Sequence, residues 1–345
     1  MSILSPTRKP KVNQGVSIQF GTPPGPLVSL FKRFYEMAPS QPSFWSSFPT
    51  CAEPLIEHVM QGKPFQIGRN MTMQPLPVGA AREKEVLVSF TGGKDSVAAC
   101  LQLESQGLKP HAFFVRNLNR SYPGELTQAK AICEKMSWPL HVEAVKQAGT
   151  RIMVEVPVKN QLILAMAIEY GAPLGIVHYA QGNHTKDHLA DLTYRYNGTD
   201  CIETYQASQP IFEAYLPGFT LHVPLLSDTD AYKVIARLRP DLYPLLASCF
   251  MPSRYKHPTR RANERKFGPL MPYRCGSCFK CALEHLARVC LGMEPNTPAG
   301  VNHSVACLIK GWESNYSSPI PHSPREVVHH YLFPDELDSS CLDLK

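Results

Sequence analysis

The sequence has no apolar run that reaches the roughly 18 residues needed to cross a bilayer as a helix. It is also poor in charge. Charged residues make up 19% of the 345, and 35 Lys and Arg against 29 Asp and Glu leave a net charge of only +6. Such a mild excess suits a nucleotide or nucleic-acid ligand and demands no polynucleotide. Arg8, Lys9 and Lys11 lie near the start, but no apolar stretch follows them, so no secretory signal is expected. No internal repeat is present. Two residue types are abundant: 32 prolines, concentrated outside the middle of the chain, and eleven cysteines, unevenly clustered. The prolines predict irregular flanks. The cysteine clustering argues for a reducing, cytoplasmic setting, where grouped thiols bind metal rather than pair as disulfides.

The most informative stretch is Val-Leu-Val-Ser-Phe-Thr-Gly-Gly-Lys-Asp-Ser over residues 86–96. An apolar strand containing Ser89 and Phe90 runs into Thr91 and two glycines, and a helix is expected from Val97. Gly92 and Gly93 let backbone approach a ligand and adopt dihedrals that other residues resist. The following turn offers unpaired N–H groups at the positive end of a helix, which is how a protein holds a polyphosphate. Ser96 is expected to cap that helix, and Asp95 to hold Mg²⁺ or orient the loop. This is not the Walker arrangement, because the glycines are adjacent rather than four residues apart.

Strands are predicted at 85–91, 111–117, 140–145, 175–181 and 221–224, and helices at 97–107, 126–136, 160–170 and 230–239. Their alternation implies a doubly wound, mostly parallel α/β sheet covered on both faces. Ligands of such sheets sit at the carboxyl ends of the strands. The turn at 91–96, the segment at 116–117 and the segment at 182–187 share that rim. Four regions follow: an N-terminal extension, partly irregular, over 1–80 with one amphipathic helix at 27–38; a nucleotide-binding domain over 81–245; a metal-binding lobe over 246–300; and a tail over 301–345. Residues 254–266 form a basic insertion in the lobe, either a solvated surface or a contact for an acidic partner.

Residues 274–281 read Arg-Cys-Gly-Ser-Cys-Phe-Lys-Cys. Three thiolates at three-residue intervals suit Zn²⁺, which needs a fourth ligand to complete its tetrahedron. Cys249 is expected to supply it. Cys290 competes, although a helical pattern from Cys281 should point it elsewhere. An iron–sulfur cluster is the rival occupant.

The sequence Thr91-Gly92-Gly93-Lys94-Asp95-Ser96 resembles the fingerprint of the PP-loop ATP pyrophosphatases, with Thr91 in the place of a serine. Followed by Cys249 and the Cys275-Cys278-Cys281 triplet, it is similar to the 7-cyano-7-deazaguanine synthase family, whose zinc site has this form. Three more segments over roughly 85–290 agree: Val156–Asn160, Gly182-Asn183 through Asp187, and Pro224-Leu225-Leu226. The resemblance implies an AMP- and pyrophosphate-forming C–N ligase with ATP, Mg²⁺ and Zn²⁺ as cofactors. A carboxylate of a 7-carboxy-7-deazaguanine-type substrate would be adenylated, and an amine or ammonia would then displace AMP to give an amide or nitrile. It further implies ATP contacts from Ser89, Phe90, Thr91, Gly92, Gly93, Asp95, Ser96, Val115, Asn117 and Gly182. Lys94, Asp95, Lys159 and Asn160 would be catalytic, and Asn160, Asp187 and Asp200 would meet the substrate. The departures are specific. The family's Tyr-Pro-Asp-Cys-Arg motif is reduced to Thr199-Asp200-Cys201, Lys159 stands where an arginine is usual, and Asp230 stands where a lysine is usual, with Lys233 one turn on. An Arg-to-Lys change loses the bidentate fork, which points to altered recognition at the substrate half of the site. Similar proteins occur in antiphage defence operons, which leaves a protein or nucleic-acid acceptor open, as it does a homodimer. A tRNA-thiolating enzyme and an ATP-binding scaffold without turnover are the alternatives.

Overall fold

The computed structural model describes residues 17–37, 44–45, 49–60, 66–67, 72–116, 118, 124–148, 158–184, 202–246, 249, 258–270, 274–294 and 298–315. Its centre is a six-stranded sheet. In chain order the strands are β1 (Ser17–Phe20), β2 (Glu85–Ser89), β3 (Lys109–Arg116), β4 (Leu140–Ala148), β5 (His178–Gln181) and β6 (Thr220–His222). They lie in the spatial order β1-β4-β3-β2-β5-β6. All neighbours are parallel except β1, which pairs antiparallel with β4 from Ser17 opposite Ala148 to Phe20 opposite Val145. From β2 the chain therefore builds outward through β3 and β4 on one side, and through β5 and β6 on the other. The point where the direction switches lies between β2 and β5.

The middle of the sheet is buried on both faces, which is why β2 reads as a near-continuous apolar run, whereas β4 and β6 are only part-buried and carry polar residues. Val86, Val88, Phe90, Ala112 and Phe114 face one core, together with α3 (Lys94–Ser105), α4 (Glu125–Met136), α7 (Asp228–Leu238), α9 (Phe279–Cys290) and α10 (Gly300–Asn315). Leu87, Phe113 and Tyr179 face the other, with α1 (Pro26–Met37), α2 (Glu53–Met60), α5 (Lys159–Gly171) and α6 (Ile202–Tyr215). A last helix, α8 (Pro258–Phe267), carries most of the basic insertion. Among the described residues no helix is long and apolar enough to cross a membrane.

Residues 17–37 are more regular than their prolines suggest, and they belong to the same core as the sheet. Helix α1 forms where the 27–38 spacing predicts it, and it lacks a side chain of its own to cap its first turn. Glu169 of α5 takes over that role: its carboxylate accepts from the N–H of Gly25 and of Val28, each at 2.9 Å. The tail likewise starts with a full helix, α10, packed on α9 in the first core.

Candidate active site and metal centre

Helix α3 begins at Lys94, three residues earlier than expected, because Gly93 is its N-cap with extended backbone (φ −76°, ψ 162°). Lys94, Asp95 and Ser96 thus form the first turn rather than a loop. Ser96 is not the cap. Its hydroxyl accepts from the Thr91 N–H at 3.4 Å and donates to the Gly93 carbonyl at 3.1 Å, bracing the turn from within. A glycine cap gives no side-chain acceptor to the first N–H groups, so they point to the rim of the sheet at the positive end of the helix.

Two glycines hold this turn by close approach. Gly92 adopts φ +72°, and a Cβ there would lie 3.2 Å from the Ala129 nitrogen of α4. Gly182 follows β5, and a Cβ there would lie 2.6 Å from the Asp95 carbonyl oxygen and 2.9 Å from the Ser96 nitrogen. The structure therefore brings Gly182 against the Gly92–Ser96 turn from the neighbouring strand. Phe90 is buried under the turn and Thr91 is exposed at its tip. The Lys94 ammonium pairs with the Asp95 carboxylate and sits 6.0 Å from the Tyr232 ring of α7.

The other expected residues divide into three groups. Val115 is half-buried near the end of β3. Lys159 and Asn160 open α5, whose N-cap Val158 also provides no side-chain hydrogen bond. A helix linking parallel strands runs back along the sheet, so its N-terminus lies at their carboxyl ends. This sets Lys159 and the buried Asn160 on the same rim as the Gly92–Ser96 turn. Asn117, Asp187 and Asp200 lie outside the described residues, as do Val156 and Pro157. Asp230 is occupied locally: it caps α7 with Ser227, whose hydroxyl accepts from the Asp230 N–H at 3.0 Å and donates to its carboxylate at 2.6 Å. Lys233 turns to Asp230 at 3.4 Å.

Two buried polar atoms stand at this rim: one on Ser89, an expected ATP contact, and one on Gln181, which no sequence expectation covers. Ser89 closes β2 and Gln181 closes β5, and they stand opposite each other in register. The Ser89 Oγ and the Gln181 Oε1 are sealed from solvent and have no hydrogen-bond partner among the described residues. The one available signal is a polar residue ending an apolar strand just before a glycine.

The four expected cysteines come together. All four sulfurs lie within 4.8 Å of one another. Cys249 and Cys278 are 3.7 Å apart, and Cys275 and Cys281 are 3.8 Å apart. A tetrahedral ion with metal–sulfur bonds of about 2.3 Å separates its ligands by about 3.8 Å, so the spacing fits a single ion; a multi-iron cluster spreads its thiolates further. Among the described residues this is the one group of three or more His, Cys, Asp or Glu suited to a metal. Cys290 is not part of it and packs at the first core instead. Hydrogen bonds from Cys249, Cys278 and Cys281 hold the Cys275 thiol far below its ordinary pKa, while hydrogen bonds to neighbouring sulfurs, together with burial, push Cys249 and Cys281 up. The Cys278 N–H donates to the Cys275 sulfur at 3.3 Å, and Asn263 of α8 donates to the Cys275 carbonyl at 2.7 Å.

Behind the sulfurs lies a fully buried ion pair between Arg274 and Glu284. Arg260 donates to the Arg274 carbonyl; this cation of the basic insertion is structural, whereas Arg261, Arg265 and Lys266 are exposed. Arg274 also donates to the Leu246 carbonyl at 2.7 Å, which Gln128 of α4 meets at 3.3 Å. The cysteine lobe is thereby tied to α4, the helix that presses on Gly92.

No protein-family model and no curated protein sequence matches the chain. Among solved structures it is similar to a predicted subunit of tRNA methyltransferase from Methanocaldococcus jannaschii, at 17% identity and a TM-score of 0.30 over 44% of this chain and 74% of that one. It is also similar to an NMN synthetase from Francisella tularensis, at 11% identity and a TM-score of 0.30 over 70% of this chain and 90% of that one. Likenesses this loose carry no functional argument.

Proposed function

We propose that the chain is an ATP-dependent, AMP- and pyrophosphate-forming enzyme of the PP-loop type that adenylates a carboxylate and passes the acyl group to an amine. One observation carries this reading. The first turn of α3 is capped by a glycine and set between the close approach of Gly92 to α4 and that of Gly182 to Asp95 and Ser96, which turns its main-chain N–H groups toward the carboxyl end of the central strand. Such a turn meets the charge that grows on a departing pyrophosphate without needing to reorganise. Lys94 is close enough to share that charge. Asp95 fits a Mg²⁺ role, since that ion is bound through one or two carboxylates together with the substrate's phosphates. The donor set and spacing of Cys249, Cys275, Cys278 and Cys281 suit a closed zinc site, which stabilises the fold and leaves no position for chemistry.

Within that class, the sequence resemblance favours a 7-carboxy-7-deazaguanine-type acceptor and ammonia. Lys159 and Asn160, at the start of α5, are the groups suited to hold the acyl adenylate. The decisive experiment is mass spectrometry of the products after incubation with ATP, Mg²⁺, 7-carboxy-7-deazaguanine and ammonia. An amide or nitrile of the ring supports the reading. Pyrophosphate release without any ring product moves the acceptor to another carboxylate.

A further inference from the structure

The Ser89 and Gln181 side chains occupy a distinctive place. They end β2 and β5, the two strands between which the chain changes direction, and ligands of open α/β sheets bind in the crevice at such a point. They also lie on the opposite face from the Gly92–Ser96 turn's helix. Side chains alternate along a strand; Val86 and Val88 face the core that contains α3, while Leu87 and Tyr179 face the core that contains α5. Ser89 and Gln181 continue the second set. A triphosphate seated on the first turn of α3 and a ligand touching Ser89 and Gln181 would therefore approach the rim from different sides, with Gly182 between them.

Gln181 is only 6% exposed, and the atom it leaves unsatisfied is a carbonyl oxygen. A buried acceptor of this kind calls for an N–H or O–H donor. The Ser89 hydroxyl, which either donates or accepts, is in register beside it. Lys159 and Asn160 begin α5 on the same face. We infer that Gln181 and Ser89 bind the ring of the acceptor, a planar heterocycle that presents N–H donors as an amino-lactam does, and that they hold its carboxylate toward the nucleotide. This rests on the adenylation reading above. It gives the acceptor one contact, Gln181, outside the expected nucleotide contacts, and it makes Gln181 a determinant of which acceptor is chosen.

The test is equilibrium binding to the full-length, metal-loaded protein, without turnover. The probes are 7-deazaguanine as the ring, and a non-hydrolysable ATP analogue. The variants are Gln181→Leu, Ser89→Ala and Gln181→Glu, which keeps an acceptor oxygen in place. The expected result is a loss of ring affinity of about tenfold in Gln181→Leu and a smaller loss in Ser89→Ala. Gln181→Glu should recover ring binding, and affinity for the ATP analogue should stay unchanged in both Gln181 variants. Because neither atom has a partner among the described residues, Gln181→Leu should melt no lower than the parent, which a structural role would not allow. If ATP-analogue affinity falls together with ring affinity in Gln181→Leu, the position belongs to the nucleotide and the inference is overturned. It is equally overturned if no variant alters ring binding, or if the ring does not bind at all. A wrong adenylation reading would show itself separately, in the nucleotide product.

Discussion

The Gly92–Ser96 turn and the Cys275–Cys281 knot sit in one fold but are made from opposite materials. The turn works through main chain. Its useful groups are N–H donors, and its key positions are ones where a side chain is missing: a Cβ on Gly92 or Gly182 would press on backbone 3.2 Å or 2.6 Å away. The knot works through side chains. Four sulfurs converge, and around them Arg274, Glu284, Arg260 and Asn263 spend their hydrogen bonds holding the chain that carries the sulfurs. A main-chain site should be sensitive in rate and tolerant in stability, and a side-chain knot the reverse.

The largest effect should come from the knot. Structural zinc contributes about 10–16 kcal/mol in small metal-folded domains. Cys275→Ser is expected to purify without its metal and to melt at least about 10 °C lower, with strong chelation reproducing the loss in the parent; metal analysis and calorimetry check both. A zinc-free variant that melts like the parent would break the contrast. Next comes the ion pair at 1% and 0% side-chain exposure. Glu284→Gln leaves Arg274 buried without its counter-charge, which should cost about 3–5 kcal/mol in denaturant unfolding.

On the turn, Gly182→Ala should lower pyrophosphate release about 100-fold, since a small displacement of a positioned reacting group costs that much, while the protein keeps its full complement of metal. The smallest effect concerns Glu169, which lies in neither region. Glu169→Ala removes the acceptor for Gly25 and Val28 and should destabilise by about 1–3 kcal/mol. Burial raises the Glu169 pKa above the usual 4.5, outweighing the backbone hydrogen bonds that lower it. A carboxyl whose folded pKa is raised contributes most below its unfolded value and loses that contribution as pH rises through the folded one. The difference between parent and Glu169→Ala should therefore be greater below pH 4.5 than above it, as urea midpoints on either side would show.

The side-chain region was the easier to read in the sequence. Cysteine spacing is explicit, and Cys249 emerged over Cys290 because a helical continuation turns Cys290 away. The strand–helix alternation from residue 85 was equally legible, since the central strand β2, buried on both faces, is apolar over Val86–Val88 and leads straight into the glycines. The turn was legible as a motif but not in detail. Serine is a strong cap on average, yet Gly93 takes the cap and leaves Ser96 inside the helix. What the sequence concealed depends on contacts made far along the chain: Glu169 capping a helix more than 140 positions earlier, β1 adding to the edge of the sheet, and Ser89 meeting Gln181 across two strands. No local pattern marks these, because each residue gains its role only once the sheet order exists.

The most direct test of the central claim is the identity of the nucleotide released when the zinc-loaded protein turns over ATP with an acceptor carboxylate. Chromatography should find AMP and pyrophosphate in equal amounts, both released about 100-fold more slowly in Gly182→Ala. ADP and orthophosphate as the products would contradict the account.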